Sequence, residues 1–186
     1  LPICFTVMTN KGPILVHNCG YGMGAPKFED QCIKFGKPVG METAELAVRS
    51  YREEYWEIPK LWRDMERAAI AAVLEPGRTF HIPNGLVEYR VAHGYLQMRL
   101  PSGRRLFYKD PKVVKRLKFG KMQNVLTFMG IHPKTKQWTR ETTWGGTLTE
   151  NAVQAISRDI LFRAMRTLEA MDIPIVLSVH DQVIAE

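Results

Sequence analysis

The sequence has few cysteines, no long apolar run and no basic leader. Its three cysteines, Cys4, Cys19 and Cys32, form an odd set without Cys-x-x-Cys spacing. That pattern argues against a disulfide framework and a zinc site, and it suits a reducing compartment. No apolar run approaches the roughly 18 residues of a membrane span, and no signal segment is recognisable. With 45% hydrophobic and 24% charged residues, the 186-residue chain has ordinary globular composition and could be one domain or part of a larger one.

Positive charge is concentrated in one stretch. Between Pro101 and Arg140 the sequence has eleven Lys and Arg residues and a single acid, Asp110. These forty residues carry a net charge of +10, so the rest of the chain is slightly acidic within the overall +7. Such a stretch suits contact with a phosphate backbone through counterion release, and Lys112, Lys115 and Arg116 are the candidate contacts. A solvated, lysine-rich loop is the alternative.

Hydrophobic periodicity predicts an α+β fold. Residues 3–8 and 13–16 form a hairpin pattern, and a short helix over about 26–35 ends before Gly36. Apolar residues from Ala44 to Ala72 follow helical spacing, but Pro59 predicts two helices or a kink near Ile58. Further strands are predicted at 87–92, 95–100, 104–108, about 136–142, 175–179 and 183–185. A last long helix is predicted from about Thr149 to Met171.

Asp181 lies at a predicted turn between two apolar strands, after His180. A carboxylate held rigidly at such a turn can ligate Mg²⁺, which takes one or two carboxylates and completes its shell with water and phosphate oxygens. A turn aspartate that bonds its own backbone is the alternative.

Asn151, Gln154 and Arg158 share one face of the predicted helix, within about 60° of one another. Two amides and a guanidinium on one face can contact a DNA minor groove or backbone. The alternative is a plain solvated helix face.

Several segments together resemble a known family. Gly145–Asp159, Leu168-Glu169 and Ile175–Asp181 resemble the palm of a phage-type family-A DNA polymerase (DNA polymerase I-like). Leu100–Arg104 is similar to another segment of that subfamily, and Gly20–Phe28 resembles the end of the family's fingers helix, motif B. The resemblance runs from Cys19 to Glu186 with its motifs in the family's order.

The resemblance implies fingers helices and an antiparallel palm sheet, with primer–template DNA, a deoxynucleotide and two Mg²⁺ as partners. Asp181 is similar to the motif C carboxylate that binds the catalytic metals, and His180 to the histidine beside the primer terminus. Tyr21 is similar to the fingers tyrosine near the templating base. Asn151 and Gln154 are similar to palm-helix residues that contact the minor groove.

The chain departs from the family in ways that limit what it can do alone. Gln182 stands where the family usually has Glu. The second metal-binding aspartate and the Lys and Arg that hold the triphosphate belong upstream of Tyr21 in the family. No other aspartate of the chain has a matching context: Asp30, Asp64, Asp110, Asp159 or Asp172. We therefore expect an upstream fragment to be required for activity, and a location in the host cytoplasm if a phage encodes the chain.

The first 18 residues resemble the C-terminal end of an intein, in Cys4–Val7 and Ile14–Asn18 before Cys19. The Asn18 side chain can attack its own carbonyl, assisted by His17, and so cleave the bond to Cys19. The Cys19 thiol would first accept the upstream segment. The alternative is a loop tripeptide without function.

The predicted organisation has three parts: an intein segment over 1–18, fingers helices over 19–75, and a palm with motif C over 76–186. The start at Leu1 suggests a cropped or processed chain, and the family continues beyond motif C. The predicted function is that of a DNA-directed DNA polymerase fragment, a nucleotidyltransferase inactive alone. The alternatives are a protein-splicing precursor and a basic DNA-binding module without catalysis.

Overall fold

The computed structural model describes residues 4–9, 12–17, 21–118, 120–180 and 182–186, which form an α+β fold. Its helices are α1 (Ala25–Lys34), α2 (Met41–Glu54), α3 (Glu57–Leu74) and α4 (Gly145–Ala170). Its strands are β1 (Cys4–Thr9), β2 (Gly12–His17), β3 (Thr79–His81), β4 (Glu88–Ala92), β5 (Tyr95–Arg99), β6 (Arg105–Lys118), β7 (Lys121–Ile131), β8 (Trp138–Thr143), β9 (Ile175–Val179) and β10 (Gln182–Ala185). The predicted class is confirmed, whereas its division into fingers and palm stays a prediction.

Strands β3 to β8 form one antiparallel sheet in chain order. Strands β6 and β7 run for 14 and 11 residues and pair as a long hairpin over residues 109–129. The register shifts between Lys109 and Lys112, which is a β-bulge. The sequence prediction ended the first of these strands at 108 and omitted the second, and both points were wrong. The bulge and the lysines interrupt the alternation on which that prediction depended.

The break predicted at Pro59 is confirmed. Helix α2 ends at Glu54 and α3 begins at Glu57, so Pro59 lies in the first turn of α3. A backbone N–H at that position has no intrahelical partner, and proline therefore removes no hydrogen bond there.

The main core lies between one face of the six-stranded sheet and the helices α3 and α4. Tyr89, Leu96 and Met98 from the sheet are fully buried in it, against Met65 of α3 and Leu148 of α4. The remaining buried contacts of α3 in this core are alanines, Ala68, Ala69 and Ala72, whose small side chains let the helix approach the sheet closely. We call the opposite face of the sheet the outer face.

A second cluster joins α1 and α2 around Phe28, Ala44, Ala47 and Tyr51. Since α3 packs on the sheet, the predicted fingers segment contributes helices to both clusters. Within the described ranges, no helix is long and apolar enough to cross a bilayer.

Helix α4 begins at Gly145, four residues earlier than the sequence predicted. A methyl group on Gly145 would collide with the backbone carbonyl of Trp62, and one on Gly146 would collide with the Trp144 ring. The two indoles themselves pack edge to face at 5.6 Å between centroids. Close packing thus explains glycine at this helix start, in spite of its low helix propensity.

Candidate nucleic-acid interface

Helix α4 and the beginning of β6 border an open groove of about 500 Å³. Its lining residues are Arg104, Leu106, Phe107, Tyr108, Asn151, Gln154, Ala155 and Arg158. The three residues predicted to share one helix face, Asn151, Gln154 and Arg158, therefore do meet at one surface. Sequence reasoning missed Arg104 and Tyr108 as groove residues, although Arg104 belongs to the Leu100–Arg104 motif.

Asn151 is fixed by a buried tyrosine. Its Nδ2 donates a hydrogen bond of 2.9 Å to the hydroxyl of Tyr108, which is 6% exposed. The Tyr108 ring packs edge to face on Phe128 at 5.1 Å between centroids. Burial raises the pKa of Tyr108, although the Asn151 hydrogen bond opposes that shift, so the hydroxyl is neutral at physiological pH. The amide of Asn151 is thus held in a defined orientation at the groove wall.

A cluster of hydrogen bonds around Arg104 joins the two sides of the groove. Arg104 Nε donates to Asp159 Oδ1 at 2.7 Å, and Arg104 Nη2 donates to the carbonyl oxygen of Ala155 at 2.8 Å. Ser102 donates to the other oxygen of Asp159 at 2.5 Å. Desolvation opposes ionisation of Asp159, but the hydrogen bonds from Ser102 and Arg104 and the charge of Arg158 outweigh it, and the pKa of Asp159 is lowered.

Arg158 and Gln154 stay at the exposed side of the groove. The Arg158 guanidinium lies over the Phe162 ring, 5.2 Å from its centroid. Gln154 Nε2 donates a long hydrogen bond of 3.4 Å to Glu150, one turn earlier. Since Asp159 is engaged by Arg104, the charge of Arg158 is available to an anionic ligand.

Tyr21 lies beside the first turn of the same helix. A Cβ atom built on Gly146 would lie 2.8 Å from the Tyr21 carbonyl oxygen, and one on Gly22 would strike the Trp144 ring. The pKa of Tyr21 is raised, first by burial and then by the negative charge of Glu150. The structure therefore brings the predicted fingers tyrosine to the end of α4 that carries Asn151.

His180 is not among the residues that line this groove. It forms the turn between β9 and β10, which make a separate two-stranded sheet, and its backbone is left-handed with φ of 54°. Gln182 pairs with Val179 at the start of β10. Asp181, the predicted metal ligand, lies outside the described residues. In the described part of the chain, no group of three His, Cys, Asp or Glu side chains could hold a metal ion.

The three predicted phosphate contacts of the hairpin do not share one face. Register places Lys112 opposite Thr127, Lys115 opposite Asn124 and Arg116 opposite Gln123. Because strand side chains alternate, Lys112 and Arg116 project from one face of the hairpin and Lys115 from the other. All three residues are exposed.

The predicted splicing residues are only partly within the described chain. His17 is the last residue of β2 and pairs with Cys4 across the first hairpin. Asn18 and Cys19 lie outside the described residues. The predicted hairpin itself is confirmed, and it forms a two-stranded sheet of its own.

Comparison with known proteins gives one informative similarity. No family model and no solved structure matches the chain. Over 150 residues, 80% of its length, the chain is 37% identical to a protein named DNA polymerase from Bacillus phage SP02. The matched region spans 22% of that protein. The chain is thus similar to a segment of a phage DNA polymerase, and it spans about a fifth of that relative's length.

Proposed function

We propose that the chain is the fingers-and-palm part of a phage-type family-A DNA polymerase, which adds deoxynucleotides to a primer 3′-OH under the direction of a template. The observation that carries the proposal is the groove in which Asn151, Gln154 and Arg158 converge. The similarity to a phage DNA polymerase supports it from an independent direction.

The groove has the chemistry that a sequence-tolerant DNA contact requires. In the minor groove, A·T and T·A pairs present the same acceptor atoms, so amide donors there discriminate little between sequences. Asn151 and Gln154 supply such amides, and Arg158 supplies a cation for the adjacent backbone. A polymerase must copy every sequence, and this set of side chains serves that purpose.

Tyr21 would lie near the templating base and nascent pair. Its placement at the start of α4, beside Gly146 and near Glu150, supports that role. Burial raises its pKa, so the phenol is neutral and can stack without a charge penalty.

Catalysis would need more carboxylates than the described residues provide, since they form no metal-binding group. Asp181 would contribute one ligand beside His180, and an upstream fragment would supply the second aspartate and the triphosphate-binding Lys and Arg. Two Mg²⁺ ions would stabilise the attacking and leaving oxygens in phosphoryl transfer. Gln182 cannot supply the charge of the usual glutamate. The chain alone would not polymerise, and the assembled enzyme would act in the host cytoplasm.

The test is Asp181→Asn in the enzyme assembled with its upstream fragment, with Asp172→Asn as the matched control. Asp172 is an exposed aspartate after α4. We expect Asp181→Asn to reduce nucleotide incorporation at least a thousandfold, while primer–template binding stays within threefold of the control. Retained incorporation would refute the polymerase proposal. Lost synthesis with retained binding also argues against a DNA-binding module without catalysis.

We further propose that residues 1–18 form the C-terminal segment of an intein. The supporting observation is that β1 and β2 form a separate sheet that ends at His17, directly before Asn18 and Cys19. In the proposed reaction the C-terminal acyl group of the upstream segment moves from the first residue of the N-terminal intein part, which is the leaving group, to the Cys19 thiol. The Asn18 side-chain nitrogen then attacks the Asn18 backbone carbonyl, which breaks the peptide bond between residues 18 and 19 and releases residues 1–18 with a terminal succinimide. An S-to-N acyl shift leaves an ordinary peptide bond at Cys19.

Mass spectrometry of a mixture with the upstream half tests splicing. The wild-type chain should lose residues 1–18 and gain the upstream segment. Asn18→Ala should block release of the segment, while Asn124→Ala, on the exposed part of β7, should splice normally. An unchanged mass in the wild-type mixture would refute this proposal and leave the polymerase proposal standing.

A further inference from the structure

The outer face of the six-stranded sheet carries rows of side chains, of which only Phe107 also lines the α4 groove. Strand register places Glu88, Arg99 and Arg105 side by side, and Arg90, Gln97 and Phe107 in the next row. Same-face residues along one strand are about 6.7 Å apart, so successive rows are regularly spaced. The face is therefore an ordered array, although its residues come from separate strands.

Two large rings on this face are open to solvent. Phe107 is 59% exposed and Trp138 is 55% exposed. The rings of Tyr95 and Phe107 pack edge to face, with 5.9 Å between ring centroids and an 86° interplanar angle. Lys109 Nζ lies 5.8 Å from the centroid of the Trp138 ring. The rings are thus supported by neighbours while flat surface stays available for stacking.

The outer-face cations are defined as Arg90, Arg99, Arg105 and Lys109. The three arginines line a depression of about 300 Å³, together with Thr79, Glu88, Ala92, His93 and Gln97. Glu88, its one carboxylate, accepts a 3.0 Å hydrogen bond from Arg99 and lies 3.4 Å from His81. Among the described residues, Arg90 and Arg105 form no ion pair. The depression therefore has excess positive charge.

The next acidic residue towards β8 is also neutralised. Asp110 pairs with Arg140 and lies 3.4 Å from Lys112. Desolvation opposes its ionisation, but the hydrogen bonds and charges of these two cations outweigh it and lower the pKa of Asp110. The whole face is consequently basic at neutral pH.

We propose that the outer face binds single-stranded DNA, with Phe107 and Trp138 stacking on bases and the outer-face cations contacting phosphates. Alternating rings and cations are the combination that holds unpaired strands, because every base has a face that can stack and every nucleotide carries one negative charge. Bases within a duplex are already stacked on one another, so exposed rings favour a single strand. The proposal does not depend on catalysis or on Asp181.

The experiment measures binding of the full 186-residue chain to a fluorescently labelled oligothymidylate and to a blunt duplex by anisotropy. The variant is Phe107→Ala with Trp138→Ala. The matched control is Phe35→Ala with Trp56→Ala, which removes two rings that are 75% and 56% exposed outside the six-stranded sheet. We expect the outer-face variant to bind the single strand at least tenfold more weakly than the control, with duplex binding changed less than twofold.

A second variant keeps the test decisive if the ring variant fails to fold. Arg90→Gln with Arg105→Gln retains both rings and should reduce the salt dependence of single-strand binding by about 0.7 in log–log slope per lost phosphate contact. Equal binding by the outer-face and control ring variants would overturn the proposal. So would equal loss of single-strand and duplex binding, which would indicate unspecific electrostatics. Absence of single-strand binding by the wild-type chain would also overturn the proposal.

Discussion

Arg104 and Asp159 are 55 residues apart in the sequence, yet Arg104 Nε donates a 2.7 Å hydrogen bond to Asp159 Oδ1. The pair joins the turn between β5 and β6 to the middle of α4. Ser102 binds the second carboxylate oxygen, so both oxygens of Asp159 are engaged by the same turn. This arrangement fixes the distance between the two walls of the groove at one end.

Asp159→Asn should destabilise the protein in a pH-dependent way. The folded-state pKa of Asp159 is lowered, so its contribution is present above the ordinary aspartate pKa of about 3.9 and is lost as the pH falls through the folded value. We expect a loss of about 1 kcal/mol at pH 7, since the pair is partly exposed, and a loss that shrinks as the pH falls below about 3.9. Urea titrations across this range measure it, with Asp30→Asn on α1 as the control. A difference that grows towards acid pH would contradict the prediction.

Tyr108→Phe should remove the hydrogen bond that orients Asn151 without creating a cavity in the core. The phenyl ring retains the packing on Phe128, but Asn151 loses the oxygen to which its amide donates. We expect a stability loss of about 1 kcal/mol, and a several-fold weaker primer–template affinity in the assembled enzyme. Tyr95→Phe, which removes a hydroxyl from the opposite face, is the control. Unchanged affinity in Tyr108→Phe would show that the orientation of Asn151 does not matter for DNA.

Gly145→Ala should disturb the contact between α3 and α4. The added methyl group would meet the Trp62 carbonyl, which belongs to a helix backbone and cannot rotate away. We expect a loss of about 3 kcal/mol in unfolding free energy. Gly24→Ala is the control, because its Cβ atom would lie 3.8 Å from the nearest atom, an ordinary contact. Equal denaturation midpoints for the two variants would contradict the tight packing at Gly145.

The two faces of the β6–β7 hairpin should contribute unequally to DNA binding. Lys112 and Arg116 project together, so a backbone lying along that face meets both, whereas Lys115 points away. Lys112→Ala with Arg116→Ala should reduce the log–log salt slope of primer–template binding by about 1.8, and Lys115→Ala should leave it nearly unchanged. Lys34→Ala on α1 controls for net charge. A larger effect of Lys115→Ala would place the DNA on the other face.

Local patterns predicted the elements whose side chains repeat regularly. The alternation of β4 and β5, the break at Pro59 and the shared face of Asn151, Gln154 and Arg158 all follow from the period of one strand or helix. Because the groove has one wall on α4, that part of it could be predicted too.

The other wall depends on contacts between distant segments. The Asn151–Tyr108 and Arg104–Asp159 bonds join residues 43 and 55 positions apart, which no local periodicity reveals. Because the bulge at Asp110 interrupts the strand alternation, the sequence pattern did not show the full length of β6. Because glycines have low helix propensity, the pattern also missed the first turn of α4. Likewise, the outer-face array exists only once the strand register is known.

The hairpin that carries His180 differs in kind from the rest of the fold. Val176, Leu177 and Ile184 are each at least 50% exposed on it. Two strands without a covered apolar face have little to hold them together in water. In native-state hydrogen exchange, amides of β9 and β10 should therefore open and exchange well before those of β4 and β5, which lie over the main core. The stability of β9 and β10, which flank the proposed catalytic aspartate, thus depends on whether another surface covers their exposed apolar side chains.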